Sequence, residues 1–155
     1  MEKSSPNRLN QIAEVEISYR NKIRVSERPI ITNSKDAYEM LLASWNRGKI
    51  QHVEEFKIIL LNHAAQALGV SHISSGSGRA TIADPKLIFV TALKGNSSSI
   101  ILAHNHPSGN IKYSQEDFDL TRKLVEGGKL LDVKVLDHII VTENGYFSFA
   151  DEGLI

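Results

Sequence analysis

The hydrophobic pattern changes period several times along the chain, and each change predicts an element. Val15, Ile17 and Tyr19 alternate with polar residues, as in a half-buried strand. Ile23 and Val25 continue the alternation beyond Arg20-Asn21-Lys22. Ser34 then suits an N-cap, Asp36 places negative charge in a first helical turn, and Tyr38, Leu41, Leu42 and Trp45 recur on one helical face. Arg47-Gly48 ends that helix. Tyr38 and Trp45 read as core, not as a stacking platform.

Glu54 to Leu61 reads as a strand whose second half is apolar on both sides, so it belongs inside a sheet. Residues 62–66 turn the chain and Ala67 to Ile73 form a return strand, with a loop at Ser74 to Gly78. Asp84-Pro85 opens a second helix that runs through Leu87, Ile88, Val90 and Leu93 and stops at Gly95. Ser99 to Ala103 is a short buried strand, followed by a polar loop from His104 to Tyr113. Ser114 caps a third helix carrying Phe118, Thr121, Leu124 and Val125 on one side, with Gly127-Gly128 ending or loosening it. Val133 to Val141 is a strand, and Glu143-Asn144-Gly145 turns it into a hairpin with Tyr146 to Phe149. Strands and helices alternate, which predicts an α/β sandwich around a mixed sheet. Residues 1–10 read as a flexible polar lead-in and residues 11–155 as one domain.

Composition narrows the chemistry. The 155 residues are 41% hydrophobic and 23% charged, an ordinary globular balance. There is no cysteine, so any metal must be held by His, Asp, Glu or water. Lys plus Arg equals Asp plus Glu at 18 each, which argues against a dedicated duplex-DNA binder. Only Arg20, Lys22, Arg24 and Arg28 look locally basic, and Glu16 and Glu27 dilute them. The apolar runs are too short to cross a bilayer and the N-terminus lacks a signal-peptide core, so the expectation is a cytoplasmic protein without a membrane partner.

Chemistry concentrates in His104-Asn105-His106-Pro107-Ser108-Gly109 and Ser114-Gln115-Glu116-Asp117. Residues two apart at a strand end face one side, so His104 and His106 can reach one ion. With Ser114 as N-cap, Asp117 lies in the first helical turn, where side chains lean back towards the returning loop. Two imidazoles and one carboxylate leave a fourth zinc position open, the pattern of a catalytic site. Zinc lowers the pKa of a bound water from about 15.7 to about 7. A nearby carboxylate could take the proton. Glu54 and Glu55 are both candidates, and spacing does not choose between them. Ser114 could merely cap its helix or could donate to a developing oxyanion. The plainer alternative is that both histidines satisfy loop backbone groups while Asp117 completes a capping pattern.

These motifs resemble the JAMM (MPN-plus) metalloprotease domain, and more closely its bacterial RadC-like branch. The family pattern is a strand-borne Glu, then HxHP, then Ser-x-x-Asp at the interval that separates His106 from Ser114 here. The HNHPSG string, Glu54-Glu55-Phe56, the Ser74 to Lys86 segment with Gly76 and Asp84-Pro85-Lys86, and the blocks at Val135 to Val141 and Ser148 to Leu154 extend the likeness over roughly residues 15–155. The resemblance implies a JAMM/MPN-like α/β sandwich with a central mixed, mostly antiparallel curved sheet flanked by helices. It also implies a Zn2+ cofactor on His104, His106 and Asp117, Glu54 as the residue that holds the water and shuttles its proton, and Ser114 stabilising the tetrahedral intermediate. The implied reaction is hydrolysis of a peptide or isopeptide bond in a protein or peptide substrate, under a historical DNA-repair label. The alternative is a non-catalytic zinc-binding module acting through a protein or DNA partner in genome maintenance. Two departures stand out. Tyr113 occupies a position where many relatives carry Pro, and the first 35 residues are too short for the helix-hairpin-helix region of longer relatives, which weakens the DNA reading.

Other features carry less. His138 reads as a buried structural histidine, with an Asp137-His138 pair behind the ligands as the alternative. His52, His63 and His72 are assigned nothing. The HNH string is no nuclease motif, because those nucleases spread their three residues along the fold. Neither a cysteine-ligated deaminase site, nor HExxH, nor a phosphate-binding GK[ST] loop is present.

Overall fold

The computed structural model describes residues 22–76 and 83–155, together with Glu16 and Arg20. The strand expected at Val15, Ile17 and Tyr19 lies outside them. Ile23 and Val25 do not extend a strand. Both are exposed, and Val25–Glu27 forms a 3-10 turn.

Five strands and three helices follow: α1 (Ser34–Ser44), β1 (Glu55–Leu61), β2 (Ala67–Ser75), α2 (Pro85–Lys94), β3 (Ser99–Asn105), α3 (Gln115–Leu130), β4 (Lys134–Thr142) and β5 (Gly145–Ser148). They build one sheet in the order β2-β1-β3-β4-β5. Only β3 and β4 are parallel, joined through α3, so the sheet is mixed and mostly antiparallel as expected. The doubly apolar β1 and β3 are interior strands, which explains why neither shows a polar face.

Alternation along the strands sorts two cores. Phe56, Ile58, Leu60, Ile100 and Leu102 pack with Ile88 of α2 and Leu124 of α3. Ile59, Leu61, Ile101, Ala103, Ile139 and Val141 pack on the other face with Ala37, Leu41 and Trp45 of α1. One irregularity matters for the site. Ile100 pairs with Val135 but Ile101 pairs with Asp137, so Leu136 is an extra residue in β4. This bulge restores His138 to the face of Val135, the α3 side, where plain alternation would turn it towards α1.

Local caps agree with the sequence at α2, where Asp84 accepts from the Lys86 N–H and Gly95 follows the last turn. At α1 the cap is Asn33, not Ser34. Asn33 accepts from the Asp36 N–H, and Ser34 is the first helical residue. The pair Gly127-Gly128 does not end α3, which continues to Leu130. Gly128 is required by proximity: a Cβ there would stand 2.3 Å from the Val133 carbonyl oxygen. No helix among the described residues is long and apolar enough to cross a membrane.

Candidate metal centre

His104 and Asn105 extend β3, and the strand ends where His106 leaves it. The His104 side chain is 2% exposed and its ring lies parallel to Phe56, its cross-strand partner, at 6.1 Å. Pro107 and Ser108 carry the chain into a turn completed by Gly109, whose φ of 77° lies in the left-handed region that glycine tolerates. The His106 Nδ1 sits 2.6 Å from the Asn110 carbonyl oxygen. A carbonyl only accepts, so His106 Nδ1 donates there, and its Nε2 faces His104.

The third residue arrives on α3. Ser114 and Asp117 form a reciprocal capping box: the Ser114 Oγ accepts from the Asp117 N–H at 3.1 Å, and the Ser114 N–H donates to Asp117 Oδ2 at 2.7 Å. That bond orients the carboxylate and leaves Oδ1 turned to His104 Nε2 at 3.3 Å. His104 Nε2 and His106 Nε2 are 3.0 Å apart, and His106 Nε2 and Asp117 Oδ2 are 3.9 Å apart. The three residues offer ligand atoms all within 4.8 Å of one another and could hold a metal ion. The plainer reading of each residue is also true: Asp117 does complete a cap and His106 does satisfy a loop carbonyl. Neither role uses the two Nε2 atoms or Asp117 Oδ1.

Donor geometry fits a small cation. Ligands about 2.0–2.1 Å from a tetrahedral zinc stand about 3.3 Å from one another, and the observed separations straddle that value. Electrostatics fit as well. Burial pushes the Asp117 carboxyl up, and the hydrogen bonds at the Ser114 cap act against it in favour of the ionised form.

Behind His104 lies His138, the histidine that the sequence reads as buried and structural. His138 is fully buried, with Nε2 2.8 Å from His104 Nδ1 and Nδ1 2.6 Å from Thr121 Oγ1. Burial, and after it the neighbouring His104, push the His138 pKa well below its ordinary 6.5. Asp137 is not paired with His138 through side chains. Its carboxylate instead accepts from Ser148 Oγ and from the backbone N–H groups of His138 and Ala150. Burial raises the Asp137 pKa in spite of those bonds.

The central residue of the HNH string also has a structural task. Asn105 is 0% exposed, and its amide donates to the carbonyls of Ile50 and Val53 at 2.7 and 2.8 Å while accepting from the Glu55 N–H at 2.7 Å. It thereby grips the chain on both sides of Glu54. Glu54 itself is half-buried at the head of β1, and its backbone carbonyl accepts from Gly76. Strand alternation carried back from Phe56 puts Glu54 on the His104 face and Glu55 on the other. Its carboxylate is not part of the three-residue cluster. The Ser114 hydroxyl uses an oxygen lone pair for the cap and keeps its proton available.

Tyr113 packs against Phe118, Phe147 and Phe149 at 6.3, 5.4 and 5.2 Å between ring centroids, so aromatic packing anchors the loop that leads into α3. A cleft of about 270 Å³ opens beside His106, between Gln51, Pro107, Thr142, Glu143 and Asn144. The basic residues Arg20, Lys22 and Arg24 are exposed and far along the chain from these elements.

Comparison with known proteins gives a consistent result. A family model described as "RadC-like JAB domain" matches residues 31–154. A UPF0758 protein of Flavobacterium johnsoniae is 41% identical over 124 residues, covering 80% of this chain and 53% of that one. Another from Symbiobacterium thermophilum is 42% identical over 137 residues, covering 86% and 57%. A third from Methanosarcina mazei is 41% identical over 125 residues, covering 81% and 53%. The chain spans about half the length of these relatives.

Proposed function

Because this chain belongs to the RadC-like JAB domain family, in which JAB domains are often zinc-dependent hydrolases, we propose that it is a zinc-dependent hydrolase of peptide or isopeptide bonds. His104, His106 and Asp117 would hold the ion. One observation carries this reading. The Nε2 atoms of His104 and His106 and the Oδ1 of Asp117 converge in a largely buried corner, with separations of 3.0 and 3.3 Å about His104 Nε2. Three lone-pair atoms crowd together at low cost only around a cation. The set lacks thiolate and contains two imidazoles, which suits zinc better than calcium or magnesium.

Zinc bound there would supply Lewis acidity, making a water acidic near neutral pH. The chain's own groups would do the rest. The Glu54 carboxylate, on the His104 face of β1, would accept the proton of the attacking water and return it to the leaving amine. The Ser114 hydroxyl proton, not used by the cap, would donate to the oxyanion at the N-terminus of α3, where the helix dipole favours negative charge. The cleft beside His106 would receive the polypeptide on one side of the scissile bond. Asn105 would keep Glu54 in place by fixing the backbone on both sides of it.

Elemental analysis tests the first half of the reading. One zinc per chain is expected in the wild type and none in His104→Ala. Cleavage of isopeptide-linked and linear peptide libraries tests the second. Glu54→Gln should keep its zinc and lose about 10²–10⁴-fold in turnover. Wild-type protein that takes up no zinc ends the proposal.

The position of Glu54 outside the three-residue cluster favours a second reading, a zinc-binding module that acts through a protein or DNA partner without turnover. Under that reading Glu54→Gln changes nothing, and partner binding survives it. A DNA partner would show binding that weakens steeply with salt.

A further inference from the structure

We propose that His138 and Thr121 are positioning residues that lock His104 in the tautomer whose Nε2 is bare and aimed at the metal. The inference rests on the metal reading above. It starts from a proton count. Thr121 owns one hydroxyl proton, and its Oγ1 lies 2.6 Å from the Asp117 backbone carbonyl. A carbonyl oxygen has no proton to give, so the threonine proton sits in that contact. The same Oγ1 is 2.6 Å from His138 Nδ1. With the hydroxyl proton already committed, the only attractive arrangement has Nδ1–H of His138 donating to the threonine oxygen.

The His138 ring is 0% exposed and its two nitrogens face only His104 and Thr121, with no carboxylate to stabilise a charge, so the bonds call for a single N–H. Its Nε2 is therefore an acceptor. That atom faces His104 Nδ1 at 2.8 Å, so His104 carries its proton on Nδ1. The remaining nitrogen of His104, Nε2, is left with a lone pair 3.3 Å from Asp117 Oδ1. The chain of bonds begins at the carbonyl of Asp117 and ends at the His104 ring, whose Nε2 faces the carboxylate of the same residue. One ligand thus sets the protonation of another through two residues that touch no metal.

Two features of the fold make the relay reachable. Thr121 follows Asp117 by one helical turn, so its hydroxyl falls on the Asp117 carbonyl. The extra residue Leu136 in β4 turns His138 to the α3 face, and Phe56 and Phe149 hold the ring on either side. Without the bulge His138 would face α1.

The test uses zinc as the probe and Thr121→Val, which keeps the side-chain shape but removes the hydroxyl. Without the threonine oxygen, His138 is free to protonate on Nε2. His104 must then accept on Nδ1 and carry its proton on the ligand atom. Competition against a chromogenic chelator should show zinc bound about 10–100-fold more weakly than by wild type. Thr121→Ser should restore wild-type affinity. Two-bond 1H–15N spectra of the metal-free wild type should show the Nδ1–H form of His138, and those of Thr121→Val a shift to the Nε2–H form. Loss of stability alone would not change the tautomer of a folded variant, so the spectrum separates positioning from packing. Wild type with His138 protonated on Nε2, or Thr121→Val with undiminished zinc affinity, overturns the inference. A wild type that binds no zinc overturns the metal reading instead, while the tautomer still judges the relay.

Discussion

Replacing Asn105 with alanine should be among the most damaging single changes outside the ligands. The side chain is fully buried and satisfies three backbone groups: the carbonyls of Ile50 and Val53 and the N–H of Glu55. Each buried group left without a partner costs about 1–3 kcal/mol. The Ile50 contact is wholly buried whereas the other two are partly so, and water can reach those in part. The net loss is then about 3–5 kcal/mol, which for a chain of this size lowers Tm by roughly 6–20 °C. The measurement is thermal unfolding followed by circular dichroism in the presence of chelator, so that metal linkage does not contribute. Asn62→Ala is the control. Asn62 also makes three hydrogen bonds, but in a half-exposed turn where water replaces them, and it should lose no more than about 1.5 kcal/mol. If both variants fall by the same amount, burial is not what makes Asn105 important, and the reasoning fails.

Other perturbations have defined outcomes. Removing metal with a chelator should lower the wild-type Tm by roughly 5–11 °C where zinc had been at about a hundred times its Kd, a linkage of about 2.7 kcal/mol; His104→Ala should show no shift, and a wild type equally indifferent would contradict the site. Acid should destabilise the metal-free protein. The folded-state pKa of His138 lies well below its ordinary 6.5, so its contribution is present above that value and lost as pH falls towards the folded one. The depressed Asp117 acts in the same direction below its ordinary 3.8. Asp137, raised by burial, has the opposite sign and is most favourable below 3.8. Tm in chelator should therefore decline from about pH 7 to about pH 5, and a flat profile would refute the assignment of His138 as a buried neutral ring. Gly128→Ala should destabilise, although helix propensity alone would favour alanine by about 1 kcal/mol. Its Cβ would meet the Val133 carbonyl at 2.3 Å, an overlap costing about 1–3 kcal/mol or more. A raised Tm for this variant would disprove the close contact.

Much of the fold was legible because local chemistry and burial agreed. Asp84-Pro85 and Gly95 bound α2 without help from the rest of the chain. The doubly apolar β1 and β3 could only be interior strands. The candidate ligand cluster was legible for the same reason. A two-residue spacing on a strand and the third position of a capped helix are local geometries, and the fold only had to bring them together. What escaped depends on long-range contacts. Gly128 looks like a helix breaker until Val133 is found against it. Ile23 and Val25 alternate like a strand, yet both are exposed and Val25 opens a 3-10 turn. Asn105 sits inside a recognisable string, yet its three partners lie some fifty residues away. His138 depends on a one-residue bulge that alternation cannot reveal, since Leu136 looks like any other apolar strand residue.

Helix α3 is fixed at both ends, by the Ser114–Asp117 box at its start and by the seat of Gly128 on Val133 near its finish. The two anchorages are about 16 Å apart along the axis. A rod clamped in this way has no freedom to slide, so the span between the carboxylate and the imidazoles is dictated by packing at the distant end. Under the metal reading, changes in that remote seat should alter which cation the site prefers before they unfold the protein.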